Sequence, residues 1–195
     1  MGDFVKAAYY YEQMLELTDG AQEYLFELAA LYLYEGKLEE AIDAYQRAES
    51  YFGINEQIIF QKQKIYLEQN KLELAIEEGK RLIEAYPDEP AYVIALADIL
   101  VPNNRVKEAI TLLEDFLKQS PENGQAKLIL SDLYKNVGDM DRALAYLTSA
   151  FEDPNVEPDV KVQIIAAYTQ QIAQARSLNL PNASLEQNTQ KLAST

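Results

Sequence analysis

The sequence contains no cysteine, no histidine and no tryptophan among its 195 residues. Without cysteine there are no disulfides and no thiolate metal sites, and without histidine the commonest zinc ligand and general base are missing. Nucleophilic triads of the usual kind therefore cannot form, and neither of the common glycine-rich motifs that cradle nucleotide phosphates is present. We predict that the chain is not an enzyme and that it uses no cofactor and no metal.

Basic residues are also scarce, with 17 Lys and Arg against 32 Asp and Glu, which gives a net charge of −15. This field repels nucleic acid and anionic membranes, and no apolar run approaches the roughly 18 residues that span a bilayer. We expect no nucleic-acid partner and no membrane insertion, and a protein partner with basic or apolar segments. Net charge alone also keeps a protein soluble, which leaves the partner's charge open. Cytoplasm is the default location, with export if the parent protein carries a signal upstream.

What the sequence does have is a period of 34 residues. Alanine recurs at this spacing at Ala7, Ala41, Ala75, Ala109 and Ala143. Five residues before each alanine is Gly2, Gly36, Asn70, Asn104 or Gly138, and these two residue types tolerate a left-handed backbone at a helix end. Between these positions, apolar residues such as Leu25, Leu28 and Tyr32 lie three or four apart, as on one face of a helix. Each period therefore predicts two antiparallel helices joined by a tight turn.

The period and the residue pattern resemble the tetratricopeptide repeat family. The unit from Gln22 matches at Leu28, Ala29, Tyr32, Gly36, Ala41, Tyr45 and Ala48. The unit from Gly124 matches at Leu130, Ser131, Tyr134, Gly138, Ala143 and Ala150. The resemblance implies an all-α fold, a right-handed α-α superhelical solenoid of stacked helical hairpins. Lys62, Gln63 and Gly79 depart from the pattern, and Pro102 should end its helix early.

The phase of the repeat predicts a single array over residues 1–195. It consists of a half repeat with only the second helix (3–18), full repeats (22–55, 56–89, 90–123 and 124–157), a capping helix (158–178) and a short last helix (182–193). Asn179 to Asn182, with Pro181, should break the chain between the last two helices. We expect Ser184 to cap the last helix, and fraying after about Gln187. Asp139 should cap the second helix of its repeat.

Because the first repeat is half present, we expect the parent protein to extend N-terminally, the alternative being a natural array that starts with a lone helix. Phe4, Ala8, Tyr11 and Leu15 should then be partly uncovered, because repeats bury their faces only against neighbours. This predicts end-to-end self-association through the N-terminal edge.

In the family, first helices line a concave groove with repeat positions 2, 5, 9 and 12. The resemblance places the following residues there: Phe26, Ala30, Leu33, Phe60, Lys64, Leu67, Ile94, Asp98, Leu128 and Asp132. Position 5 is large and apolar in all four repeats. Either these side chains wedge between adjacent first helices, or they form an apolar ladder for a partner's side chains.

Three functions fit this pattern. The first is a protein-interaction scaffold that binds a peptide or an extended protein segment in the groove. The others are a regulatory or substrate-recruiting arm of a larger enzyme or sensor, and a structural spacer in an assembly. Family members that grip a C-terminal carboxylate use a Lys and Asn pair and further basic residues, whereas the matching positions here are Phe26, Ala30, Ala91 and Ala95. The chain resembles no such carboxylate clamp.

Overall fold

A computed structural model describes residues 2–18, 21–178, 181 and 183–193, and every regular element in that part of the chain is a helix. The helices are α1 (Gly2–Leu17), a 3₁₀ turn (Ala21–Tyr24), α2 (Leu25–Tyr34), α3 (Leu38–Phe52), α4 (Glu56–Glu68), α5 (Leu72–Ala85), α6 (Pro90–Leu100), α7 (Val106–Gln119), α8 (Gly124–Asn136), α9 (Met140–Phe151), α10 (Pro158–Ser177) and α11 (Ala183–Ala193). The predicted all-α class is confirmed.

The helices form two compact units, which are Met1–Leu96 (unit 1) and Ala97–Thr195 (unit 2). In unit 1, α2 packs against α3 and α4 packs against α5, and in unit 2, α8 packs against α9. These pairs are the predicted helical hairpins. A single array over the whole chain stays a prediction.

The turns inside the hairpins share one backbone geometry. Gly36, Asn70, Asn104 and Gly138 all have positive φ, between 57° and 85°. The amide of the residue after each of these positions donates to the carbonyl five residues before it, as in Lys37 N to Tyr32 O at 2.8 Å. The residue with positive φ donates to a carbonyl three residues back, as in Gly36 N to Leu33 O at 3.0 Å. Both bonds together make a Schellman motif, which satisfies the last carbonyls of each first helix.

Small side chains allow the two helices of a hairpin to approach closely. Four of the periodic alanines are buried, namely Ala41, Ala75, Ala109 and Ala143. The facing column of the first helices contains Ala29, Ala97 and Ser131, which are buried as well. Larger side chains would hold the two backbones apart, so these columns set the interhelical distance.

The α4–α5 hairpin solves the same packing problem with different residues. Gln63 occupies the column that is small elsewhere, and its Nε2 donates to the Ala75 carbonyl at 2.9 Å. Gly79 stands opposite, where the family pattern expects an aromatic residue, and a Cβ there would lie 2.7 Å from Gln63 Nε2. The two departures from the pattern therefore compensate each other, because the glycine makes room for the glutamine.

Lys62, the other departure in this repeat, is buried in an ionic cluster of unit 1. Its Nζ lies 2.9 Å from Glu49 Oε2 and 2.6 Å from Glu78 Oε1. Arg81 also pairs with both Glu49 and Glu78. Burial acts to raise the pKa of Glu49, but the hydrogen bonds and charges of Arg81 and Lys62 outweigh it and lower that pKa. Two cations thus neutralise two carboxylates, which makes a buried lysine tolerable.

A tyrosine of a first helix hydrogen-bonds a glutamate of the preceding second helix in both units. In unit 1, Tyr32 Oη lies 3.2 Å from Glu12 Oε1. In unit 2, Tyr134 Oη donates to Glu114 Oε1 at 2.6 Å. Burial and Glu114 together raise the pKa of Tyr134 to about 12. The two pairs lie three periods apart, so both units use one device to join successive repeats.

The structure agrees with two predicted helix boundaries, the early end of α6 before Pro102 and the start of α9 at Asp139. α6 ends at Leu100, two residues before Pro102 and earlier in its repeat than α2, α4 and α8. Asp139 caps α9, where its side chain accepts from the Arg142 amide at 3.1 Å. The predicted break at 179–182 lies outside the described residues except for Pro181, and so does the side chain of Ser184.

The prediction for α1 is wrong at one residue. Phe4 is exposed, and Tyr11 and Leu15 are half-buried, but Ala8 is buried at 4% exposure. Ala8 faces the hydrophobic core of unit 1, together with Leu25 and Leu28 of the following repeat. Ala8 therefore faces the next hairpin, α2–α3, and that hairpin buries it.

The prediction that the chain frays after Gln187 is also wrong. α11 continues to Ala193, and Leu192 is buried at 1% exposure. It packs in a cluster with Leu147 and Phe151 of α9. This apolar contact anchors the last turn of the helix, since a leucine buried in this way is removed from water.

Candidate protein-binding surface

The residues expected in the groove divide into two classes by exposure. Those at position 5 (Phe26, Phe60, Ile94 and Leu128) are all half-buried, and so are Leu33 and Leu67 at position 12. Those at position 9 (Ala30, Lys64, Asp98 and Asp132) are all exposed. In α2 and α4 an open position 9 thus lies between two partly covered apolar positions. We call Phe26, Ala30, Leu33, Phe60, Lys64, Leu67 and Ile94 the unit 1 first-helix surface, and Asp98, Leu128 and Asp132 the unit 2 first-helix surface.

The two phenylalanines of the unit 1 first-helix surface contact other aromatic rings. The ring centroid of Phe26 lies 6.4 Å from that of Tyr45 and 5.8 Å from that of Phe52. The Phe60 ring lies 6.3 Å from Tyr92. Tyr45 belongs to the core, whereas Phe52 is 49% exposed. Each phenylalanine therefore rests on neighbouring rings and keeps part of its own surface open.

Sequence reasoning missed these aromatic neighbours. Phe52 and Tyr86 are one period apart, at the ends of α3 and α5, and both are exposed. Tyr86 contacts the Tyr92 ring at 5.7 Å, and its hydroxyl donates to the Ile54 carbonyl at 2.8 Å. The shared spacing was the available signal, because it puts an aromatic residue at the end of the second helix in the first two full repeats.

In the unit 2 first-helix surface, Leu128 packs against the cluster of Leu147, Phe151 and Leu192. Asp132 lies near Tyr168 of α10, since burial first and the charge of Asp132 second raise the pKa of that tyrosine. Lys135 Nζ lies 5.6 Å from the Tyr168 ring centroid, a cation–π distance. Unit 2 thus places one carboxylate, one ammonium and one phenol close together.

A further apolar surface lies on α1, made by Phe4, Val5, Tyr9, Tyr10 and, from α2, Tyr34. We call it the α1 face. All five side chains are exposed, Tyr10 to 67%, and the Phe4 and Tyr34 rings are 4.3 Å apart. In the complete repeat that follows, the residue in the column of Tyr10 is Ala44, which is fully buried.

No group of three or more acidic side chains converges in the described part of the chain in a way that could hold a metal ion. None of the described helices is long and apolar enough to cross a membrane.

Family models described as tetratricopeptide repeat match residues 1–52 and 100–168. These two ranges contain Ala7, Ala41, Ala109 and Ala143 of the alanine column, the glycine turns and the tyrosine–glutamate pairs described above. The chain is a tetratricopeptide repeat protein. Residues 53–99, between the two matches, contain Lys62, Gln63 and Gly79, which depart from the family pattern.

Solved structures of other tetratricopeptide repeat proteins share the fold. One MamA structure has 20% identity and a TM-score of 0.53, and the match covers 78% of this chain and 89% of that one. MamA from Desulfovibrio magneticus has 12% identity and a TM-score of 0.52, covering 90% and 95%. YrrB, described as a tetratricopeptide repeat protein with an unusual peptide-binding site, has 17% identity and a TM-score of 0.50, covering 80% of each chain. No curated protein matches the chain.

Tetratricopeptide repeats are protein-interaction scaffolds and are typically not enzymes. Membership of the family thus supports the predicted scaffold and a protein partner.

Proposed function

We propose that the tetratricopeptide repeat protein binds a peptide or an extended segment of another protein along its first helices. On unit 1, the first-helix surface offers an apolar site with Phe26 and Phe60 as anchors. On unit 2, the first-helix surface offers the acidic positions Asp98 and Asp132.

The observation that carries the proposal is the exposure pattern of the first helices. In α2 and α4 an exposed position 9 lies between two half-buried apolar positions, 5 and 12. In α6 and α8 position 5 is a half-buried apolar residue and position 9 is an exposed aspartate. Aromatic anchors that are partly covered on their own chain lose little side-chain freedom when a partner completes the burial. The net charge of −15 favours a segment that carries Lys or Arg beside its apolar residues.

A peptide display library selected on the purified chain tests this proposal. The expected peptides combine aromatic or aliphatic residues with Lys or Arg. The double variant Phe26→Ala with Phe60→Ala should weaken their binding at least tenfold, because it removes both unit 1 anchors.

The matched control is Leu74→Ala, which truncates an exposed leucine on α5, a second helix of unit 1. It should leave the affinity unchanged. Urea unfolding of each variant separates binding from packing. If the double variant loses stability and affinity together, the phenylalanines serve as packing and the proposal fails. Binding that is unchanged in a stable double variant also contradicts it.

We propose in addition that the α1 face associates with a second copy of the chain at high concentration. What supports this is the exposure of Tyr10, whose column is buried or half-buried in every complete repeat, together with the exposed ring of Tyr9 beside it. Contiguous apolar surface of this kind is typical of interaction sites in soluble proteins.

A further inference from the structure

Unit 2 contains a buried lysine without an ion-pair partner. Lys127 is 8% exposed, in a column of the first helices that is apolar and fully covered in the other complete repeats, at Leu25, Ile59 and Val93. In the described part of the chain no carboxylate lies within 4 Å of its ammonium, which makes no hydrogen bond there either. An unpaired charge at such a position costs free energy, because the surrounding side chains displace water from it.

Asp153 does not supply the missing carboxylate. It interacts with the charge of Lys127 from beyond ion-pair distance, and both of its oxygens accept from backbone amides. Oδ2 accepts from the Gly124 amide at 2.7 Å, and Oδ1 accepts from the Asn155 amide at 2.8 Å. The carboxylate of Asp153 is therefore already engaged by the backbone.

Lys127 lines a cleft where α7, α8 and α9 meet, which we call the Lys127 cleft. The cleft has a volume of about 290 Å³, and its other lining residues are Leu117, Pro121, Ala145, Tyr146 and Ser149. Lys127 is the one charged residue of this lining. The hydroxyl of Ser149 makes no hydrogen bond to another described residue. The cleft thus combines one ammonium and one hydroxyl with apolar walls.

In unit 1 the corresponding cleft contains its own carboxylates. Lys62 lines it together with Glu49 and Glu78, and the lysine ammonium lies 2.9 Å and 2.6 Å from these two carboxylates. Glu49 belongs to α3 and Glu78 to α5, the second helices before and after α4 in the chain. Unit 1 therefore shows that carboxylates from two second helices neutralise a buried lysine of the first helix between them.

The same two columns carry no charge around Lys127. Two periods after Glu49 the chain has Leu117, on α7, and two periods after Glu78 it has Tyr146, on α9. Both of these residues line the Lys127 cleft. Unit 2 thus keeps a buried lysine between second helices but lacks the carboxylates that neutralise its counterpart in unit 1.

We propose that the Lys127 cleft binds one acidic side chain of a partner protein. The partner's carboxylate pairs with the Lys127 ammonium, and its aliphatic part packs on Leu117 and the Tyr146 ring. The Ser149 hydroxyl donates to the same carboxylate. A carboxylate fits this cleft better than a phosphate group, because the cleft supplies one positive charge and a phosphate group carries about two negative charges.

The size and the charge of the site indicate a side chain as its ligand. A volume of about 290 Å³ is near the lower limit of roughly 300 Å³ for ligand pockets. The net charge of −15 repels free small anions, whereas the rest of a bound protein segment brings an acidic side chain to the cleft. The site shares no residue with the two first-helix surfaces, so the inference goes beyond the proposed function.

The probe is an end-capped pentapeptide with a central glutamate between leucines, titrated into the full chain. Amide chemical shifts of α8 and α9 report binding at the cleft. Lys127→Met should weaken this binding at least tenfold, because it removes the positive charge of the lining. A peptide with glutamine in place of the glutamate should bind the wild-type chain at least tenfold more weakly.

Urea unfolding adds a readout that separates binding from packing. Lys127→Met should raise the urea midpoint, because the column is apolar in the other repeats and an unpaired charge is lost. Lys62→Met is the matched control. It should lower the midpoint, since Glu49 and Glu78 lose the ammonium between them, and it should leave the peptide affinity unchanged.

A second variant supplies the carboxylate from the chain itself. Leu117→Glu places an acidic side chain in the column of Glu49, so it should pair with Lys127 and weaken peptide binding at least tenfold. It should also be tolerated better in the wild-type chain than in Lys127→Met, which a double-mutant cycle of urea midpoints measures.

Four results would overturn the proposal. They are equal affinity for the glutamate and glutamine peptides, unchanged affinity in Lys127→Met, a lower urea midpoint in Lys127→Met, and binding of n-hexanoate as tight as that of the peptide. The third result would give Lys127 a stabilising partner within the chain, and the fourth would make a free acid the ligand. Phe26→Ala with Phe60→Ala should leave this binding unchanged, so the test is independent of the proposed first-helix surface.

Discussion

Single residues determine how each hairpin turns. The left-handed position is glycine in two of the four hairpin turns and asparagine in the other two, Asn70 and Asn104. Both residue types adopt positive φ at lower cost than other L-residues. Since the hydrogen-bonding pattern is the same in all four turns, the backbone requirement is the property that the period repeats.

Gly36→Ala should lower the free energy of unfolding by about 1 kcal/mol, because alanine is strained at positive φ. A Cβ at Gly36 would meet no atom within 4 Å, so the loss comes from the backbone alone. Urea unfolding followed by circular dichroism measures it. Gly36→Asn is the control and should lose clearly less. An equal loss in both variants would contradict this account of the turn.

Glu49 makes the stability of unit 1 dependent on pH. Its pKa is lowered from the ordinary 4.5 in the folded chain, so its stabilising contribution is complete above pH 4.5 and decreases as the pH falls through the lowered pKa. Glu49→Gln should therefore show a shallower loss of stability below pH 4.5 than the wild-type chain. Urea unfolding at a series of pH values tests this.

Gln46→Ala is the control for Glu49→Gln, because Gln46 lies in the same surface cleft and carries no charge. Its stability should follow the wild-type pH dependence. A Glu49→Gln curve parallel to the wild-type curve would show that Glu49 does not titrate in the way described.

At the scale of elements, α4 and α5 show that the family pattern is one of several solutions to the packing of two helices. Gln63 and Gly79 exchange the usual sizes of two facing positions, and the glutamine gains a hydrogen bond to Ala75. Shape complementarity is kept although both residues differ from the pattern. The effect of a substitution at one of these two positions on stability must therefore depend on the residue at the other.

Gly79→Ala should destabilise the chain by about 1–3 kcal/mol, although alanine is the better helix former. Its Cβ would lie 2.7 Å from Gln63 Nε2 and 2.9 Å from Leu96 Cδ1. In the presence of Gln63→Ala the cost should fall by about 1 kcal/mol, because one of the two clashes is removed. A double-mutant cycle in urea measures this coupling. Lys80→Ala with Gln63→Ala is the control pair and should be additive.

The sequence predicted the helices and turns that follow the 34-residue period better than the contacts of residues that depart from it. The periodic alanines and the turn at Asn70 were predictable, because each requirement lies within one hairpin and repeats at fixed spacing. The pairing of Lys62 with Glu49 and Glu78 could not be predicted, because a lysine at a position that is usually apolar does not indicate which carboxylates it contacts. Leu192 was missed for a related reason, because the chain beyond Gln187 has no period that predicts its contact.

The candidate surface was predictable to a different extent. Repeat positions assigned Phe26 and Lys64 to positions 5 and 9 of their helices, and in the structure Phe26 is half-buried and Lys64 is exposed. The contacts of Phe52 and Tyr92 with this surface depend on where neighbouring helices end, which periodicity does not describe. The part played by the position 5 side chains in binding stays a prediction.

At the scale of the whole molecule, both units repeat the same devices. Each contains helical hairpins closed by left-handed turns, and each joins successive repeats with a tyrosine–glutamate pair. Each copy of the chain carries a net charge of −15, so two copies repel each other at close approach. Self-association through the apolar α1 face must therefore overcome this repulsion, and salt should promote it.

Tyr9→Ser with Tyr10→Ser should reduce self-association, because it removes the two exposed rings of α1. Sedimentation velocity over a range of concentrations and salt measures the effect. Tyr51→Ser is the matched control, since Tyr51 is equally exposed on α3, and it should associate like the wild-type chain. A wild-type chain that stays monomeric at high concentration would contradict the proposal.

The Schellman turns at Gly36 and Asn70 lie one period apart and use the same pair of hydrogen bonds. Excising residues 37–70 would join Gly36 directly to Lys71, the residue that already follows an equivalent turn. Both ends of such a junction adopt the backbone that they had before. Recombination between these turns can therefore shorten or lengthen the gene by whole 34-residue periods, each with one second helix and the next first helix, without disturbing the turn that ends either hairpin's first helix.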